Sequence, residues 1–309
     1  MLGAVVAGIG VAPVVAPTTL AVLMLLPLSA FEAMTPLPAA AIQLTRSRIA
    51  ARRLLDLTAA DHPDGRQKSA AIPPKPCGTG RLSLDARSGY VQGVRSPRVA
   101  LDLPRGARLA VTGPSGSGKT TLLMTLAGLL PPLDGQVLLD GTDLSQLGED
   151  DLRRAVGFFA EDAHVFATTV RDNMLVARGD CRDDELTAAL HAVGLGAWLA
   201  RLPDGLATVL SGGAHALSAG QRRRLLLARA VISPARIVLL DEPTEHLDVL
   251  DAEPILRDLL GPNSALMPAD RTVVVATQYL PNGIHCRELR IGSAMKVSEV
   301  SAARHELQR

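Results

Sequence analysis

Two short runs, far apart in the chain, carry the residue types that handle phosphate. The first is Gly113-Pro114-Ser115-Gly116-Ser117-Gly118-Lys119-Thr120, which fits the pattern G-x-x-x-x-G-K-[ST]. Glycines at these places let backbone N–H groups turn inward around a phosphate, and a helix opening at the end of the run adds its partial positive charge. Lys119 is placed to reach the β- and γ-phosphates of a nucleotide, and the Thr120 hydroxyl to hold Mg²⁺, with Thr121 counted in the same binding run. The second run, Arg236-Ile237-Val238-Leu239-Leu240-Asp241-Glu242, delivers two acids from an apolar strand. Asp241 is placed to orient Mg²⁺ and its waters, and Glu242 to polarise an attacking water. Adjacent acids at a strand end are commonly a solvated turn; the glycine loop earlier in the chain is what gives them a catalytic reading.

Between these runs stands Leu217-Ser218-Ala219-Gly220-Gln221, followed by Arg222-Arg223-Arg224 and an apolar helix. Ser218 suits a helix N-cap, with Gln221 three positions on as its capping-box partner. The free N–H groups of such a helix and the Ser218 hydroxyl make an anion site.

The elements that must hold these residues follow an α/β pattern from about residue 81. Short apolar runs, Arg108–Thr112, Gln136–Asp140, Ile237–Leu240 and Thr272–Ala276, end in loops bearing polar residues and read as strands. A helix is expected over Thr120–Leu130, stopped by Pro131-Pro132. The stretch from about 149 to 215 is richer in helical patterns and is expected to form a separate lobe, with Trp198 a packing residue.

The rest of the composition narrows the function classes. The chain has 309 residues, a formal net charge of +1 and 2% aromatics, which leaves neither the charge nor the stacking surface of a nucleic-acid binder. Cys77, Cys181 and Cys286 are far apart and odd in number, so no disulfide framework is expected and a reducing compartment fits. His164, His191 and His215 have no metal-like spacing. Residues 1–44 contain no Lys or Arg and a single acid, Glu32, and are followed by Arg46, Arg48, Arg52 and Arg53. That asymmetry reads as a membrane segment with a cytoplasmic positive flank. Thr18–Ala40 is long enough to cross a bilayer, kinked by Pro27, Pro36 and Pro38, whereas the apolar residues 2–12 are too short to cross alone. A buried helix and a signal peptide are the other readings of this stretch; a signal peptide would need a basic start, which is absent. Residues 45–80 read as a cytoplasmic helix and a Pro/Gly linker, and 81–309 as the nucleotide-binding domain.

The order of these motifs resembles the nucleotide-binding domains of ATP-binding-cassette (ABC) exporters over residues 81–292. The fold class so implied is an α/β P-loop NTPase, an ABC ATPase domain with a helical lobe, preceded by a short transmembrane helical segment. Leu217–Gln221 is similar to the family's signature, which closes over ATP held by a partner subunit. Glu242 and the residues after it, Pro243-Thr244-Glu245-His246-Leu247-Asp248, resemble the D-loop region. The resemblance also puts Tyr90 where an aromatic stacks on adenine, Glu161 where a glutamine is usual, and Gln278 where a histidine is usual. It implies ATP and Mg²⁺, with Thr120, Glu161 and Asp241 as the metal's ligands and Glu242, Gln278 and Glu161 as the catalytic set. Because Gln278 cannot carry a proton and Glu161 adds negative charge, hydrolysis at this chain's own site is expected to be slow.

Within the family the chain looks most like the C subunit of the heterodimeric thiol-reductant exporters needed for cytochrome bd assembly, on the stretches 157–180, 217–230 and 241–248 and the helix Leu25–Ala40. That resemblance implies a second half-transporter as partner, a cysteine- or glutathione-like substrate, and a place in the cytoplasmic membrane with the ATPase domain on the cytoplasmic side. A half-transporter of this family carries six membrane helices, and this sequence has room for one and part of another. The alternatives are a nontransporting remnant that only binds nucleotide, and an ABC ATPase docking on a separate permease.

Overall fold

The computed structural model describes residues 80–89, 97–292 and the strand 297–300. Strands β1 (Leu82–Arg87), β2 (Arg98–Leu103) and β3 (Arg108–Thr112) lead to helix α1 (Lys119–Leu126). Strands β4 (Asp134–Leu139) and β5 (Thr142–Asp143), helix α2 (Glu149–Ala155) and strand β6 (Val156–Phe159) follow. Helices α3 (Val170–Leu175), α4 (Asp183–Ala192), α5 (Gly196–Leu199) and α6 (Ala219–Ile232) come next. The chain continues through β7 (Ile237–Asp241), α7 (Val249–Leu260), β8 (Thr272–Thr277), β9 (Arg287–Ile291) and β10 (Val297–Val300).

The strands form two sheets. The smaller is antiparallel, in the order β2-β1-β4-β5. The larger has the order β10-β9-β3-β8-β7-β6, parallel except for the β9–β10 pair. Residue types follow this division. Strands β7 and β8 read IVLLD and TVVVAT and are buried along their whole length, as a parallel sheet covered on both faces requires. Strand β1 alternates between buried and more exposed positions, as in a sheet with one wet face.

Alternate residues of the large sheet feed two cores. Leu109, Val111, Ile237, Leu239, Val274 and Ala276 pack with α1 and the small sheet. Ala110, Val238, Leu240, Val273 and Val275 face α4, α6 and α7. Helix α6 is the spine of that second core. Its Leu225 is fully buried, which by itself contributes roughly 1.5–3 kcal/mol. Its buried Arg229 donates to the Asn173 carbonyl and Oδ1 at 2.8 Å and to the His164 carbonyl at 2.7 Å, tying the segment 164–175 to the helix. Burial lowers the Arg229 pKa to about 10, which leaves it charged at neutral pH.

Three expectations are corrected. The helix over 120–130 starts at Lys119 and ends at Leu126, before the prolines, because Gly128 takes a left-handed backbone (φ 69°) and Leu129 N–H bonds back to the Met124 carbonyl. The strand expected over 136–140 runs Asp134–Leu139, and Asp140 turns out of it at φ 52°. The stretch 149–215 is not a lobe with its own core. Its strand β6 pairs with β7 in the large sheet, and α3 and α4 share one apolar cluster with α6, β7 and β8. Trp198 packs against that cluster, as expected. Among the described residues no helix is long and apolar enough to cross a membrane. The expected transmembrane segment (1–44), the cytoplasmic helix and linker up to residue 79, and Tyr90 lie outside the described residues.

Candidate nucleotide site

The register of the large sheet explains how distant residues meet. Strand β8 lies between β3 and β7, with Thr112 opposite Thr277 and Asp241 opposite Ala276. The loops leaving β3, β7 and β8 therefore emerge side by side at the carboxyl edge of a parallel sheet, where ligands of such sheets bind.

The loop after β3 runs Gly113–Gly118 and caps α1. Gly116 (φ 75°) and Gly118 (φ 96°) hold backbone conformations that other residues adopt only with strain, and a Cβ on either would meet open space. At Gly113 a Cβ would fall 2.3 Å from the Ile291 carbonyl oxygen, so this position tolerates no side chain. Pro114, Ser115 and Gly116 are exposed, whereas the Ser117 hydroxyl is buried without a hydrogen-bond partner.

Lys119 is buried, and its ammonium donates to the Gly113 and Pro114 carbonyls at 2.9 and 3.2 Å. It also pairs with Glu242 Oε1 at 3.1 Å. The Thr120 hydroxyl donates to Asp241 Oδ2 at 2.7 Å, while Asp241 Oδ1 is buried and unpartnered. Thr121 is half-buried, and its carbonyl accepts from the Thr125 hydroxyl inside α1. The second carboxylate oxygen of Glu242 accepts from the Gln278 backbone N–H at 3.2 Å, while the rest of Gln278 is exposed. Burial raises the pKa of both Asp241 and Glu242; the Thr120 hydrogen bond opposes this for Asp241, and Lys119 opposes it for Glu242. Glu242 also holds a left-handed backbone (φ 46°), a strained conformation for a glutamate.

These observations fit a magnesium-bound nucleoside triphosphate. The loop offers glycine backbone at Gly113, Gly116 and Gly118, with left-handed conformations at the last two, ahead of the helix that begins at Lys119. Thr120 and Asp241 supply hard oxygen ligands of the kind Mg²⁺ takes, and one Asp241 oxygen has no other partner. Magnesium, when bound, would offset phosphate charge, and the Glu242 carboxylate beside Lys119 is a group that can accept a proton.

Glu161 lies on the loop after β6. It neighbours Glu245 and His246, the three bringing possible ligand atoms within 4.8 Å of one another, and its carboxylate is 3.7 Å from Arg223. Its charge still reaches Asp241, whose pKa it helps to raise. The run Leu217–Gln221 forms the expected capping box. Ser218 Oγ accepts from Gln221 N–H at 3.1 Å, and Gln221 Oε1 accepts from Ser218 N–H at 2.9 Å. Ser218 and Ala219 are exposed, and Leu217 packs at the edge of the helical core. Gly220 faces Leu247, whose Cδ2 would lie 3.3 Å from a Cβ there.

Sequence reasoning did not single out Arg223 or the pairing of Glu161 with Glu245. The only sign of Arg223 is its place in a basic triplet that otherwise opens an apolar helix.

The comparisons agree with this geometry. Residues 97–245 match the family model described as ABC transporter. The chain is 38% identical over 218 residues to a mycobactin import ATP-binding/permease protein of Mycolicibacterium thermoresistibile, covering 71% of this chain and 37% of that protein. It is 34% identical over 262 residues to the glutathione/L-cysteine transport system ATP-binding/permease protein CydC of Escherichia coli, covering 82% of this chain and 43% of that one. A bacterial Atm1-family ABC exporter solved with ATP bound superposes with a TM-score of 0.63 at 26% identity, over 72% of this chain and 38% of the exporter. The chain thus spans about two fifths of the length of these relatives. With the phosphate loop, the paired acids and the capped signature helix in this order on this sheet, residues 97–245 carry an ATP-binding domain of the ABC transporter family, with the P-loop NTPase fold.

Proposed function

We propose that this chain is the ATP-hydrolysing part of an ABC exporter subunit that works with a second, non-identical half-transporter in the cytoplasmic membrane. The observation that carries the reading is the convergence of Lys119, Thr120, Asp241 and Glu242 at one edge of the sheet, held by direct contacts between their side chains. The phosphate loop and Lys119 bind and orient the triphosphate. Thr120 and Asp241 hold Mg²⁺, with Glu161 beside them. Glu242 takes the proton from the attacking water, and the Gln278 N–H keeps its carboxylate aimed. Tyr90 stacks on the adenine. Leu217–Gln221 serves ATP on the partner, as its resemblance to the family's signature implies and as the exposure of Ser218 and Ala219 permits.

The exported substrate is a thiol reductant such as cysteine or glutathione, for use in cytochrome bd assembly. Support for this finer reading is the similarity to the E. coli protein named for glutathione/L-cysteine transport. Its match covers 82% of this chain, a larger share than residues 81–309 make up, and so begins before residue 81. Relatives named for mycobactin import and lactococcin transport mark the competing substrate classes.

Hydrolysis at this chain's own site is slow, because Gln278 and Glu161 stand where the resemblance has histidine and glutamine. Single-turnover hydrolysis in the assembled transporter, with the partner's phosphate-loop lysine replaced, tests this. Replacing Gln278 by His and Glu161 by Gln together should raise the rate, and an unchanged rate would remove the basis for the claim.

A further inference from the structure

Arg223 is the one basic side chain of the triplet 222–224 that is buried, at 7% exposure. It lies in the first turns of α6, directly after the Ser218–Gln221 cap, and its guanidinium reaches two other loops. Nε donates to the Glu245 carbonyl at 3.2 Å, in the loop after Glu242. Nη1 donates to the Glu161 carbonyl at 2.8 Å, in the loop after β6, and Nη2 lies 3.7 Å from Glu161 Oε1. A planar cation with donors on three nitrogens can serve two carbonyls and a carboxylate at once, which an ammonium on a flexible stem does less well.

The corner it serves is rich in acids. Glu161, Glu245, Asp241 and Glu242 sit around Lys119, Arg223 and His246. The charges of Glu161 and Arg223 act on Asp241 in opposite directions, the acid raising its pKa and the guanidinium lowering it. A carboxylate at position 161 beside a site for a triphosphate is therefore electrostatically adverse, and Arg223 is the buried cation in contact with it.

We propose that Arg223 is a positioning residue for magnesium-bound ATP, holding the Glu161 carboxylate against α6 and offsetting its charge at the nucleotide site. By also holding the Glu245 carbonyl, it joins the helix that carries the signature motif to two loops of this chain's own nucleotide site. The inference rests on Thr120 and Asp241 being the magnesium-nucleotide site. A purely structural peg would use the two carbonyl bonds alone and would be indifferent to the charge on Glu161.

The test is equilibrium binding of MgATP to the 309-residue chain in wild type, R223K, R223Q, E161Q and R223Q/E161Q, with K119A as control. R223Q should weaken binding about tenfold, the size of coupling expected between contacting charges. R223K should stay within about threefold of wild type, and the double variant within about threefold of E161Q, by the same coupling logic. Wild-type affinity in R223Q, or an equal loss with and without E161Q, overturns the proposal. If R223Q does not fold, a folded and ATP-binding double variant supports the proposal, and a double variant that is also unfolded overturns it. Undiminished binding in K119A would instead overturn the nucleotide site itself, and the inference with it.

Discussion

The phosphate corner and the signature run are both anion-binding designs, but they are finished to different degrees. At the phosphate corner, side chains from β7 and α1 are interlocked: Lys119 with Glu242, Thr120 with Asp241. Buried oxygens remain there without partners, on Ser117 and Asp241. At the signature run, Ser218 and Gln221 satisfy each other and the surface is open to solvent. The first region holds unmet polar capacity inside the fold, as a site for this chain's own ligand would. At the second, the cap side chains are engaged with each other and Ser218 and Ala219 are exposed. On the proposed function, the two motifs differ in whose nucleotide they serve.

Replacing Lys119 by Ala removes the cation of the first region and should reduce MgATP affinity by about 100-fold, the scale seen when one partner of a buried charge pair is truncated, as measured by titration calorimetry. Glu242→Gln should leave binding nearly intact while lowering turnover about 100- to 10,000-fold, the usual contribution of a general base. The pH profile sharpens that result. Burial raises the Glu242 pKa, and its ionised form is the one that accepts a proton. Wild-type hydrolysis should therefore fail on the acid side at a pH above the ordinary glutamate value, and Glu242→Gln should lack this limb.

A smaller effect is expected in the helix that carries the signature run. Leu225→Ala empties a fully buried position on α6 and should cost about 2–5 kcal/mol by chemical denaturation. The smallest belongs to the signature run itself. Ser218→Ala removes the cap hydroxyl and should lower stability by about 1 kcal/mol, with hydrolysis falling only when the partner is present.

Much of the phosphate corner was legible in the sequence because it is local. The glycine pattern, the lysine that follows and the two acids ending an apolar strand are each contiguous, and parallel-sheet chemistry puts such strand ends on one edge. The capping box was legible for the same reason, since both of its bonds span three residues. What escaped is long-range. Arg223 acts across 62 positions on Glu161 and across 22 on Glu245, so nothing near it in the chain marks it as different from Arg222 or Arg224. The end of α1 was misread because a left-handed Gly128 stops a helix as firmly as the prolines further on. The helical stretch before α6 looks independent because its apolar periodicity does not reveal that its cluster continues through α6 to β7 and β8.

The most direct test of the central comparison is MgATP binding to the 309-residue chain, measured alone and side by side in Lys119→Ala and Ser218→Ala. The account predicts a loss of about 100-fold in the first and a change of less than about twofold in the second, because the Ser218 hydroxyl is engaged only within its own cap. A loss in Ser218→Ala as large as that in Lys119→Ala would show that both motifs serve the same nucleotide in one chain, and would contradict it.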